Sequence, residues 1–178
     1  MTATEIIKKY YREGNELYAI LISHSEAVAH KALTVLQSHP EMVVDQEFVY
    51  EAAMLHDIGI FLTDAPEIHC FGEHPYICHG YLGADLLRRE GLDRHALICE
   101  RHTGMGLSLQ TIIEKNLPLP RHSMLPESLE EKLVCYADKF YSKTKLGREK
   151  TPEQIRKSLA KHGEDSLKRW DELCYLFA

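Results

Sequence analysis

The chain has 178 residues, 44% of them hydrophobic and 27% charged, with a net charge of -6. That length favours one domain with a substantial core, and the acidic balance argues against a non-specific nucleic-acid binder. No apolar run reaches the roughly 20 residues of a membrane span, and the polar start Met1-Thr2-Ala3-Thr4-Glu5 reads as no secretory signal.

Thr2 to Arg12 reads as a first helix: Thr2 with Glu5 makes a capping box, and Gly14 ends the element. Residues 15–38 read as a long second helix. Its apolar stripe, Leu17, Ile20/Leu21, Val28, Ala32 and Val35/Leu36, keeps helical spacing. His24 lies inside that stripe, the usual place of a core histidine when nothing joins it. His39-Pro40 closes the helix. Asp45 caps a third helix over 46–57, with Val49, Ala52/Ala53 and His56 on its inner face. Its end, Leu55-His56-Asp57-Ile58-Gly59, sets an imidazole beside a carboxylate behind an apolar run. Burying such a pair is costly unless something pairs with it.

Residues 59–77 read as a long loop, or a short helix in a loop. A helix over about 78–90 carries His79, Leu82 and Leu86/Leu87 on one face and stops at Gly91. Asp93 caps the next, which runs to His102 and breaks at Thr103-Gly104-Met105-Gly106. Residues 108–116 form a short helix, and Leu117-Pro118-Leu119-Pro120 a loop. Ser128 and Glu131 make a capping box for a helix to about 142, with Leu129, Leu133, Ala137 and Phe140 inward. Thr151-Pro152-Glu153-Gln154 is a helix start, followed by helices over about 152–161 and 164–176, broken at Gly163. No segment alternates with period two. The expected fold is all-α, with seven to nine helices in a single domain over 1–178.

Five cysteines form no C-x-x-C pair, as expected of reduced thiols in a cytoplasmic protein. Cys70 and Cys78 match no usual zinc spacing. From Lys139 onward ten Lys/Arg stand against six Asp/Glu. That surplus reads first as a solvated helical face, and second as an attractor of phosphate. Histidine is abundant, eleven in all. His24, His56-Asp57, His79, His102 and Asp138 each fall on a helix or at a helix end. Several such groups pointing into one helical core need a partner, and a divalent cation supplies it.

The order H…HD…H…H…D resembles the HD-domain metal-dependent phosphohydrolase superfamily. His24-Ser25 with Val28 resembles its first motif, and His56-Asp57-Ile58-Gly59 is the form that names the HDIG subgroup. His79 with Gly83-Ala84 resembles the third motif, Glu100-Arg101-His102-Thr103-Gly104 the fourth, and Ala137-Asp138-Lys139 the last. The resemblance covers about 20–142, leaving 150–178 as a C-terminal helical extension. It implies a helical bundle in which His24, His56, Asp57 and Asp138 hold one metal. His79 and His102, with Asp57 bridging, hold a second. Members with both extra histidines are typically dinuclear, often with iron; manganese, cobalt, nickel or magnesium can substitute.

The implied chemistry is two-metal hydrolysis of a phosphoester or phosphoanhydride by water. The implied substrate is small and phosphorylated, a nucleotide or dinucleotide. Asp57 and Lys139 are the expected catalytic residues, and Lys139, Arg101, Arg121 and His122 the expected phosphate holders. A homodimer is compatible with these features. Two alternatives stand beside the hydrolase: a di-iron oxygenase, as inositol oxygenase shows for this scaffold, and a non-catalytic nucleotide sensor.

The sequence also departs from relatives. Some mononuclear members carry an acid where Ile60 and Phe61 stand, which leaves Asp64 as the nearest carboxylate. The His-His-Glu triplet and Gly-Tyr-Pro of the cyclic-dinucleotide phosphodiesterases are absent around His102. His74 competes with His79 for the third motif, but only His79 has a glycine four residues on. Specificity is expected from loops 59–77 and 104–127.

Overall fold

Thr2 opens helix α1 (Ala3–Tyr10) with the reciprocal cap expected: its hydroxyl accepts from the Glu5 N–H and its own N–H donates to the Glu5 carboxylate. The structure is a computed structural model covering residues 1–178. Asn15 caps α2 (Glu16–Ser38) and Asp45 caps α3 (Gln46–Leu55). Helix α3 ends two residues before the expected 57. Tight turns, Ile58 N–H to the Leu55 carbonyl and Ile60 N–H to the Asp57 carbonyl, replace its last turn. His56 is therefore the cap and Asp57 lies beyond the helix.

The 59–77 loop holds a small antiparallel hairpin that sequence periodicity does not reveal. Strands β1 (Asp64–Ala65) and β2 (Cys70–Phe71) pair Asp64 with Phe71 and Ala65 with Cys70. Two residues per strand are too few to show alternation. Asp64 is exposed there, away from the buried His/Asp cluster. Helix α4 (His79–Arg89) follows, then α5 (Asp93–Arg101). Asp93 is the first residue of α5 rather than its cap, which is Leu92 with no side-chain bond. Its carboxylate still favours the helix N-terminus.

Ser108 caps α6 (Leu109–Glu114), and Ser128 caps α7 (Leu129–Asp138). The expected box at α7 is half made. Glu131 turns its carboxylate to the Glu127 N–H and to Arg101 instead of the cap. Helix α7 stops at Asp138, four residues short of the expected 142. Thr151 and Gln154 form the full box of α8 (Pro152–Leu159), and α9 is Glu164–Phe177.

One hydrophobic core of 38 buried residues runs through the bundle, from Ala3 to Phe177. Helix α2 packs on α3, α4 on α5, and α7 touches α2, α3, α5 and α9. Helix α9 docks by aromatic stacking, with the Trp170 and Tyr136 ring centroids 5.3 Å apart. Helix α1 covers the turn after α3: the Tyr11 hydroxyl donates to the Ile58 carbonyl at 2.7 Å and accepts the Phe61 N–H. No helix is long and apolar enough to cross a membrane.

Gly59 is required by packing. A Cβ there would overlap the His79 carbonyl and the Gly83 backbone, and one on Gly83 would press on Cys99 Sγ and the Gly59 backbone. The two glycines let α4 lie directly on the turn after Asp57. Gly59→Ala is expected to cost about 1–3 kcal/mol by overpacking, read as a melting temperature roughly 2–12 °C lower. An unchanged melting curve would show that the turn can give way.

Candidate metal centre

Five helices deliver six side chains to one point. His24 comes from the middle of α2, His56 and Asp57 from the end of α3, His79 from the start of α4, His102 from the cap of α5, and Asp138 from the last residue of α7. All six are buried, the most exposed being Asp138 at 8%. Three of the histidines are held alike. Nδ1 of His56, His79 and His102 donates to the carbonyl three residues earlier, on Ala53, Tyr76 and Cys99, at 2.6, 2.6 and 2.7 Å. Ala53 and Cys99 lie in the final turns of α3 and α5, whose carbonyls are free to accept, and Tyr76 opens the short turn before α4. With Nδ1 donating, Nε2 of each ring faces inward, the orientation a metal-ligating histidine needs.

Asp57 stands between two groups of donors. Its Oδ2 lies 3.2 Å from His24 Nε2 and 3.1 Å from His56 Nε2; its Oδ1 lies 3.3 Å from His79 Nε2 and 3.2 Å from His102 Nε2. Asp138 Oδ1 joins the first group, 3.0 Å from His24 and 3.3 Å from His56. Within each group the donor atoms lie within 4.8 Å of one another.

Of these close approaches His24 Nε2 to Asp138 Oδ1 has hydrogen-bond geometry, but others do not. His56 Nε2 and both Asp57 oxygens are buried without a properly directed partner. The Nε2 atoms of His79 and His102 face each other at 3.1 Å. As both rings already donate through Nδ1, two lone pairs meet, which is repulsive without a cation between them. Donors about 2.1 Å from one shared cation stand roughly 3.0–3.4 Å apart, the spacing found. Each group thus fits a divalent cation, and nitrogen with carboxylate oxygen suits a transition metal.

The local field follows from burial. Burial opposes charge on Asp57 and Asp138, but neighbouring cations outweigh it and hold both carboxyls well below their usual range. These cations are chiefly His56 and Lys143 for Asp57, and Lys139 for Asp138, to which the close contacts with His24 and His56 add. Burial also opposes charge on His56, yet Asp57 and Asp138 raise its pKa to about 10. Burial prevails at His102, which falls to about 4 and stays neutral.

The metal-free protein therefore carries a proton on His56 at pH 7, and a cation must displace it. Metal binding is expected to release about one proton per chain and to tighten about tenfold per pH unit between pH 6 and 8. Binding heats in buffers of different ionisation enthalpy measure this; proton-independent binding would contradict it.

A cavity of about 280 Å³ adjoins the cluster at Asp138 and is lined by Tyr76, Lys139, Ser142, Lys143 and Lys150, among others. Lys139 reaches Asp138 Oδ2 at 2.7 Å, and Lys143 reaches Asp57 Oδ2 at 2.7 Å. No sequence motif singles out Lys143. Its position in the turn after α7, five residues beyond Asp138, is set by tertiary structure. Tyr76 carries no sequence signal either: its ring stacks on His79 at 4.5 Å and its carbonyl orients that imidazole.

Arg101, Arg121 and His122 do not line this cavity. Arg101 is held by Glu131 at 2.9 Å and Glu127 at 3.3 Å; His122 faces Glu100 at 3.2 Å; Arg121 is exposed. His74 is exposed, its backbone joined to Leu62 and Asp64, so the structure brings His79 and not His74 to the cluster. Loop 59–77 contributes Glu67, Ile68 and Tyr76 to the cavity, whereas loop 104–127 contributes nothing. The five cysteines are free.

A helical bundle here buries two His/Asp groups, joined at one aspartate, whose donor atoms are placed as a metal site would need. Residues 21–143 match the HD domain family, and the chain belongs to it. It is 38% identical over 128 residues to an uncharacterized protein of Methanocaldococcus jannaschii, an alignment covering 70% of this chain and 68% of that protein. It is 32% identical over 133 residues to the tRNA (cytidine(56)-2'-O)-methyltransferase of Thermoplasma volcanium, and 32% over 128 residues to that of Picrophilus torridus. These two alignments cover 74% and 71% of this chain but only 34% and 33% of the methyltransferases. No solved structure matches the chain.

Proposed function

We propose that the protein is a metal-dependent phosphohydrolase that cleaves a phosphoester or phosphoanhydride bond in a small phosphorylated substrate, a nucleotide or dinucleotide. The observation that carries this is Asp57, which offers one oxygen to each of two buried donor groups. His24, His56, Asp57 and Asp138 would hold one divalent ion, and Asp57, His79 and His102 the other. Bound there, such ions supply Lewis acidity to water and to phosphoryl oxygens.

The chain's own groups do the rest. Lys139 and Lys143 line the mouth and carry positive charge to the phosphoryl oxygens. The carbonyls of Ala53, Tyr76 and Cys99 fix the imidazoles. Burial of Asp57 strengthens every interaction it makes.

A second reading is a phosphate on an RNA end, favoured by the two relatives that bear a tRNA methyltransferase name. One experiment addresses both. Protein purified without chelator is assayed for metal content and for phosphate release from nucleotides, dinucleotides, sugar phosphates and end-phosphorylated oligoribonucleotides, with Mn²⁺, Fe²⁺ and Co²⁺. About two metal equivalents per chain and metal-dependent release from a nucleotide are expected. Release confined to oligoribonucleotides would favour the second reading, and no release from any compound would overturn both.

A further inference from the structure

We propose that the loop after α7 forms a second anion subsite, so that the substrate carries a second, non-scissile phosphate beyond the one at the metal centre. This rests on the phosphohydrolase reading and specifies its substrate class.

The cavity at the metal centre adjoins another of about 180 Å³, lined by Ser142, Lys145, Arg148, Glu149, Lys150 and Gln154. Ser142 and Lys150 line both, so the two form one track. The Lys150 N–H donates to the Phe140 carbonyl at 2.8 Å and folds the loop back, which sets Lys150 at the junction. Glu67 and Asp138 are the acids lining the metal-centre end, and towards the loop the charge along this track is unbalanced. Lys139 and Lys143 face Asp138 and Asp57, but Lys145, Arg148 and Lys150 have no carboxylate within 4.0 Å. The one acid in the loop, Glu149, is taken by Lys31 and by the Tyr141 hydroxyl. Unpaired cations held this close repel one another, and burial together with Lys139, Lys143 and Lys145 depresses the Lys150 pKa. An anion with several oxygens relieves that repulsion.

The surplus of positive charge after Lys139 is therefore not spread over a helical face. Five of its ten cations lie between Lys139 and Lys150, in the turn and loop before α8.

The probes are non-hydrolysable, so binding is read apart from turnover. Metal-loaded protein is titrated with methylphosphonate, methylenediphosphonate and butane-1,4-diphosphonate, as wild type and as Lys145→Gln/Arg148→Gln. Lys157→Gln, an exposed change on α8, serves as control. Wild type is expected to bind a diphosphonate at least about tenfold tighter than methylphosphonate, and the double variant to lose that preference. Preference for the methylene compound indicates adjacent phosphates, and preference for the butane compound separated ones; either supports the subsite. A preference that persists in the double variant would be chelation by the metals and would overturn it, as would equal affinity for all three probes. Phosphate release in the substrate screen without the subsite preference sinks only this inference. The preference without any phosphate release sinks only the hydrolase.

Discussion

Asp57→Ala is expected to empty both metal groups at once and to lower phosphate release by about 10³-fold or more. The reason is its dual role. Oδ2 faces His24 and His56, and Oδ1 faces His79 and His102, so one side chain serves two sets of donors. Without it the first group keeps His24, His56 and Asp138, while the second keeps only two imidazoles. His102→Ala tests the same geometry with a narrower effect. It removes a donor from the second group alone, so metal content is expected to fall from about two equivalents to about one. Elemental analysis of both variants, with circular dichroism to establish that they fold, separates the outcomes. Full metal content in Asp57→Ala would remove the aspartate from the centre. Equal losses in the two variants would mean that the groups do not load separately.

Part of that geometry is legible in the amino-acid sequence. His56 and Asp57 are adjacent in the chain, and each remaining donor sits where helical periodicity points it inward, so short local words mark the cluster. Gly59 and Gly83 are legible as motif letters, but their reason is tertiary: α4 must touch the turn after α3. Arg101 shows the opposite case. Its place beside His102 suggests a phosphate ligand, yet Glu131 on α7, thirty residues away, takes its guanidinium. Lys143 lies in a turn with no periodic pattern, and only the end of α7 at Asp138 brings it to Asp57. Helix boundaries and local motifs follow from nearest neighbours. The partners of long charged side chains depend on which helices pack, and that information is spread over the whole chain.

Lys143→Met is expected to have opposite effects on metal and on phosphate. In the metal-free protein the ammonium lies 2.7 Å from Asp57 Oδ2, with its side chain 13% exposed and that of Asp57 fully buried. Burial opposes the lysine's charge, but Asp57 overrides this and raises its pKa. Removing one partner of a buried ion pair leaves the other uncompensated, at a cost of about 3 kcal/mol. The metal-free variant should therefore melt roughly 6–12 °C lower.

A divalent cation at Oδ2 competes with the ammonium for the same lone pairs, so metal-loaded wild type and variant should melt within about 3 °C of each other. By linkage, the variant should bind metal about 10²-fold more tightly. The phosphorylated substrate has meanwhile lost a cation at the mouth, and its KM should rise about tenfold. Melting curves with and without chelator, a metal titration and a KM measurement read all three. Equal destabilisation of both forms would show that Lys143 is only a packing residue. Unchanged metal affinity would show that it does not compete for Asp57.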